Sequence, residues 1–371
     1  MSRSLAPCHP AARAVALFVA LATPAVGQES PRASKLDLLR SAWKKRQDAV
    51  HTIDVSWHSS RWLSRAYAQS LTPPDPTAPK AAENDFVSLD ARQRFVIDAA
   101  GRTRMEYAGQ VPARGSGAPT PEESLEVIAD GTQKALFAVG GIGFPAYYEK
   151  PMGSVVDARA LPLLLALRAA DPERRVIDLG GLEETGQETQ LDDCKCLVFK
   201  HPRGEVWVDP ARQFVPVRYL ELRNGRKSRD IVIRYTPHER IGWVPLAWNS
   251  VRLMSKTGAV LESLVADGVR LEINPELPAG TFDVTLPLGT WVNKQPAKEG
   301  DPAESYLLRA DGKRHVGPGE FDGSNYEQLL HSDPPPGGSG RTWWVVLGFA
   351  AVGAGAMVWL LASRSNRAPA P

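Results

Sequence analysis

Cysteine is nearly missing from this chain: Cys8, Cys194 and Cys196 are the only three in 371 residues. So few thiols cannot staple a domain of this size, which must hold itself together by packing. A charge imbalance is missing too. With 44 Lys+Arg against 42 Asp+Glu the formal net charge is +2, which gives no electrostatic case for nucleic acid or a strongly acidic substrate. Catalytic signatures are also lacking. His9, His51, His58, His201, His238, His315 and His331 stand in no metal-ligand spacing, and neither His-Glu-x-x-His nor a pair of Cys-x-x-Cys knuckles occurs. There is no Gly-x-Ser-x-Gly elbow. Gly140-Gly141-Ile142-Gly143 lacks the Lys-Ser/Thr of a phosphate loop, and Pro145 blocks the helix that would hold the anion, so it reads as a tight turn. These absences point away from an enzyme, a cofactor and a metal.

What is present begins with the two ends. Residues 1–27 read as an export signal: Arg3 and Arg13, the apolar run 14–22, a break at Thr23-Pro24, and small residues at Ala25 and Gly27. That run is too short to span a bilayer. Residues 343–362 (WWVVLGFAAVGAGAMVWLLA) form a charge-free stretch long enough to cross a membrane, with Trp343, Trp344 and Trp359 near its ends. Arg364 and Arg367 follow it, so the positive-inside bias puts the tail 363–371 in the cytosol. The expected product sits in the inner (plasma) membrane as a single-pass protein with its N-terminal domain extracytoplasmic. Residues 333–342, rich in Pro and Gly, read as a flexible stalk.

Between the ends, Lys35 to Ala49 carries Leu36, Leu39, Ala42 and Trp43 at helical spacing. Residues 52–58 alternate, with Ile53, Val55 and Trp57 on one face. Residues 72–83 and 112–121 read as Pro-rich loops around hairpins at 86–98/103–109 and 125–130/133–139. Residues 157–170 read as a short, nearly all-apolar helix ended by Asp171-Pro172. Strands then follow at 182–189, 194–200, 204–209, 215–223, 228–236, 244–256 and 260–273, with turn residues between them, of which Asn224-Gly225 is the strongest hairpin signal. Residues 301–332 read as a small segment after the sheet.

This spacing predicts a mainly β (α+β) fold: an antiparallel incomplete β-barrel of about eleven strands covered by a few helices, with the C-terminal transmembrane helix appended. Cys194 and Cys196 share a strand face, roughly 7 Å apart along the chain. They either pack inward beside Val198 or close a strained disulfide. Aromatic residues on a curved inner wall make a greasy pocket, and Trp57, Trp62, Trp207, Tyr219 and Trp248 are the candidates for that wall. Leu161, Leu164, Leu165 and Leu167 on the short apolar helix are the candidates for its lid.

The same pattern resembles the lipoprotein-carrier (LolA/LolB-like) fold family. An N-terminal amphipathic helix leads into a first strand with Trp57 and a long antiparallel run. Val206-Trp207-Val208-Asp209-Pro210 followed by Pro216-Val217-Arg218 looks like that family's W-V-D-P hairpin. Phe282 to Val292 (FDVTLPLGTWV) is similar to its closing stretch. The resemblance covers residues 35–292 and implies an unclosed barrel over 28–300, plugged by helices, whose hollow takes acyl chains. It departs from the family in the tether, because an anchored protein cannot ferry cargo across a periplasm.

The expected function is therefore that of a membrane-anchored, non-enzymatic extracytoplasmic binding protein. Its half-barrel would hold a lipid or lipidated ligand such as a lipoprotein. The alternative is an envelope sensor or scaffold that recognises a protein partner, its barrel filled by its own side chains.

Overall fold

In the computed structural model the described residues are 34–70, 81–82, 85–112, 118–119, 123–129, 133–139, 144–151, 159–171, 176–295, 303–317, 319–321 and 323–332. The leader, the stalk, the expected span 343–362 and the tail lie outside them. No helix among the described residues is long and apolar enough to cross a membrane.

The first helix, α1 (Lys35–Ala49), buries Leu39, Trp43 and Arg46. It leads into β1 (Ile53–Ser64), followed by the short α2 (Arg65–Ser70) and by β2 (Phe86–Ile97), β3 (Thr103–Gly109), β4 (Glu123–Ala129), β5 (Gln133–Val139) and β6 (Ala146–Pro151). After α3 (Leu161–Arg168) come β7 (Glu183–Leu191), β8 (Cys194–His201), β9 (Gly204–Asp209), β10 (Val215–Arg223), β11 (Arg226–His238), β12 (Gly242–Leu253) and β13 (Val260–Ile273). The chain closes with β14 (Trp291–Lys294), β15 (Glu304–Arg309), β16 (Gly312–His315) and α4 (Tyr326–His331).

All of these strands join one sheet in the order β16-β15-β14-β6-β5-β4-β3-β2-β1-β13-β12-β11-β10-β9-β8-β7. Pairing is antiparallel from β7 to β13, across to β1, and on to β6. The sheet is longer than the about eleven strands expected, because β6, β14, β15 and β16 extend it. Residues 301–332, expected as a small segment after the sheet, supply two of those strands and α4. The expected run of consecutive antiparallel strands needs one correction: β14 pairs with β6 in parallel. A parallel pair requires a long connection, and everything from α3 to β13 lies between these two strands in the chain. The last leg, 274–290, is held by Arg104, whose Nη1 donates to the Thr281 carbonyl at 2.9 Å.

The sheet curls around α3. This helix packs on β10, β11 and β12, while the Arg159 guanidinium just before it lies 4.7 Å from the ring centre of Tyr107 in β3. From β3 to β10 there are six strand spacings, about 29 Å across a flat sheet at about 4.8 Å each. Eight helical residues are only about 12 Å long. Only a bent sheet brings both strands within reach, which fits an incomplete barrel. A second, smaller core lies beside β14, where Phe144 stacks on Tyr326 at 4.7 Å and Trp291 on Phe321 at 4.1 Å. Gly289 there has φ +84 and would place a Cβ 2.7 Å from the Tyr326 hydroxyl. Only glycine fits that approach.

Candidate functional site: the inner face of the curled sheet

The interior is set first by α3. Its sequence, LPLLLALR, is apolar all round, and residues Pro162 to Arg168 are all buried. A helix without a polar face has to be covered on every side. The sheet covers one side and α1 the other. The helix expected as a lid is therefore an internal plug. Two arginines brace it. Arg46 Nη1 of α1 donates to the carbonyls of Ala166 (3.2 Å) and Trp243 (3.1 Å), and burial lowers its pKa. Arg168 Nη2 of α3 donates to the carbonyls of Val50 (3.1 Å) and His51 (2.6 Å), just beyond α1.

Strand register then sorts the sheet into faces. Pairing aligns Ile233 with Trp248 and Trp248 with Ala266, and Ala266 with Ser59. The next tier toward the β10–β11 turn is Tyr219, Ile231, Ser250, Leu264 and Arg61. Trp57 and Trp248 meet edge to face, their ring centres 5.2 Å apart. This apolar layer backs onto α3 and belongs to the main core. Polar groups appear within it. Gln93, opposite Trp57, donates from Nε2 to Ser59 Oγ at 2.6 Å. Three buried polar atoms on this face, Gln93 Oε1, Trp248 Nε1 and His201 Nε2, have no hydrogen-bond partner among the described residues.

One tier further, the face becomes charged. His201, Gly204, Glu221, Arg229, Arg252, Glu262 and Leu63 stand directly opposite one another across seven adjacent strands, β8 to β1. Glu262 is held by Arg61 at 2.6 Å and Arg252 at 3.1 Å. Burial alone would raise its pKa, but the two guanidiniums outweigh it and hold the carboxyl at about 2. Arg229 pairs with Glu221 at 3.9 Å. The row's two guanidiniums and two carboxylates balance, and Arg61 from the tier before adds one positive charge beside them. Arg252 also lies over the Tyr67 ring of α2 at 5.5 Å.

His201 stacks on Tyr219, ring centres 5.2 Å apart. Burial, helped by nearby Arg203, pushes its pKa down to about 4, so it is neutral at pH 7. Its Nδ1 accepts the Arg203 backbone N–H, which leaves the proton on Nε2. Burial holds the Tyr219 hydroxyl up at about 12.

The sequence-predicted wall divides between the two faces. Trp57, Tyr219 and Trp248 lie on the inner face with Leu164, Leu165 and Leu167, all at 3% exposure or less, and Leu161 is half-buried against them. Trp62 and Trp207 lie on the opposite face. Trp62, 39% exposed, alternates with inward Arg61 and Leu63. Trp207 pairs with Arg218, whose guanidinium covers its ring at 4.5 Å while its Nε and Nη2 donate to Asp230. Cys194 and Cys196 are free, buried thiols, so the disulfide alternative is not realised. They are two apart on one strand, at the limit of what a bridge spans. Burial raises their pKa values to about 12 and about 11.

Sequence reasoning missed Ser59, Arg61, Gln93, His201, Arg229, Arg252 and Glu262. The available signal was parity: Glu262, Leu264 and Ala266 alternate, as do Arg61 and Ser59 with Trp57. Among the described residues no group of three or more His, Cys, Asp or Glu gathers to hold a metal.

Neither a protein-family model nor a curated protein matches the sequence. Solved structures similar to the chain include a DUF1329 family protein from Desulfovibrio piger, at 10% identity and TM-score 0.40, covering 68% of this chain and 98% of that one. A LolA superfamily protein from Nitrosomonas europaea is similar at 13% identity and TM-score 0.36, covering 66% of this chain and 97% of that one.

Proposed function

We propose that the protein is a non-enzymatic extracytoplasmic binding protein, anchored in the inner membrane by residues 343–362, that holds an amphiphile on the inner face of its curled sheet. The observation that carries this reading is the gradient along that face. The Trp57–Trp248 layer is apolar apart from Ser59 and Gln93 within it, the tier of Tyr219, Ile231, Leu264, Ser250 and Arg61 follows, and the Glu221–Arg229–Arg252–Glu262 row ends it. An acyl chain gains about 0.8 kcal/mol per buried methylene, and a polar head finds donors and charge at the other end. Buried polar atoms are ordinarily satisfied, and a bound molecule's own polar groups can supply the partners that Trp248 Nε1 and His201 Nε2 lack.

A second reading has its own observation. Leu163, Leu164, Leu165 and Leu167 are all at 1% exposure or less, as expected of a scaffold whose interior is occupied by its own helix and whose ligand is another protein. Lipid extraction and mass spectrometry of the purified full chain separate the two. The amphiphile reading expects a stoichiometric lipid or lipidated species, and a lipid-free chain overturns it in favour of the scaffold.

A further inference from the structure

We propose that the end of the sheet formed by the 223–227 and 254–260 turns is a docking surface for an anionic phospholipid membrane. The β10–β11 turn presents Arg223, Arg226 and Lys227 around Asn224-Gly225, and the β12–β13 turn presents Lys256 between Met254 and Val260. Arg226 Nη1 donates to the Lys256 carbonyl at 2.8 Å, which joins the two turns into one surface. Neither turn contains a carboxylate. The acids that flank the turns in sequence are already engaged: Glu221 by Arg229, Asp230 by Arg218, and Glu262 by Arg61 and Arg252. The four cations face solvent or its edge with no acidic partner of their own among the described residues.

Apolar side chains gather at the same end. Of the seven large hydrophobic residues exposed among the described residues, four are here: Met254, Val260, Trp62 near the end of β1, and Phe86 at the start of β2. Exposed apolar groups interleaved with unpaired cations suit the boundary between anionic headgroups and acyl chains. The surface is made of protruding hairpin turns, which insert into a lipid interface.

The proposal rests on the amphiphile-binding reading, because the inner charged row lies at this same end and docking there brings it near headgroups. The test uses the full chain carrying Met254→Cys, labelled with bimane and reconstituted in nanodiscs of phosphatidylcholine alone or mixed with phosphatidylglycerol. The expected result is a blue shift with phosphatidylglycerol only, reversed by high salt and by Lys227→Glu with Lys256→Glu, which leaves the Arg226 bond in place. Equal emission in both lipids overturns the proposal, and so does a shift that survives the charge reversal, which would mark a surface for some other partner. Retention of bound lipid, measured on the same samples, separates the readings: lipid retained without a shift removes the docking surface alone.

Discussion

Arg46 and Arg168 each supply donors to the far end of the other's helix. Arg46 reaches from α1 to the Ala166 carbonyl in the last turn of α3, and Arg168 reaches from α3 to the Val50 and His51 carbonyls beyond α1. Helix C-termini leave carbonyls unpaired and carry partial negative charge. The two cations therefore satisfy both ends and lock the plug to the helix above it.

Replacing Arg168 by Met keeps the side-chain volume and removes these bonds. Hydrogen bonds to a charged group are worth about 1.5–3 kcal/mol each in such settings, so urea unfolding is expected to show a loss of about 2–4 kcal/mol. A change below about 0.5 kcal/mol would mean that the brace does not hold the plug.

Asn274 closes the other side of that junction. Its Oδ1 accepts the N–H groups of His51 and Thr52, and its Nδ2 donates to the Ala49 carbonyl, with φ at +54. Asn274→Gly tolerates the backbone and loses the three bonds, whereas Asn274→Ala also strains φ. Both are expected to lower the unfolding midpoint, with Ala about 1 kcal/mol worse than Gly. Equal midpoints would contradict the strain assigned to this residue.

Acid stability follows from two groups on the inner face. His201 has a folded pKa of about 4 against an ordinary 6.5. Between these values the unfolded chain binds more protons, so stability falls as pH drops from 6.5 to 4. Glu262 has a folded pKa of about 2 against 4.5, so its contribution is present above pH 4.5 and is lost as pH falls toward 2. Urea midpoints across pH 7 to 3 are expected to decline in both windows, and His201→Phe is expected to flatten the upper one only. An unchanged slope in that variant would contradict the buried neutral imidazole.

Much of the sheet could be read from alternation alone. Strands β8 to β13 and their turns follow the pattern closely, and Asn224 and Gly225 take the positive φ values of 53 and 72 that their hairpin requires. The reading of β1 stopped at His58, although the strand runs to Ser64. The reason is physical: beyond Trp57 its inward residues are Ser59 and Arg61, which break the apolar period because they line the polar part of the interior. The feature that hid the strand is thus the candidate site itself. The fate of Trp207 was hidden for the opposite reason, since an aromatic ring covered by a stacked guanidinium suits an outer face as well as an inner one. The β6–β14 pair depends on a long return of the chain that no local pattern encodes.

Ser250 and Asn249 are neighbours on β12 with side chains on opposite faces, Ser250 inward between Trp248 and Arg252, Asn249 exposed outward. Native mass spectrometry of the full chain, comparing Ser250→Trp with Asn249→Trp, tests the inner-face account most directly. The account predicts that the indole at 250 displaces the bound amphiphile while the one at 249 leaves it in place. Equal lipid occupancy in the two variants, or none in the unaltered chain, would contradict it.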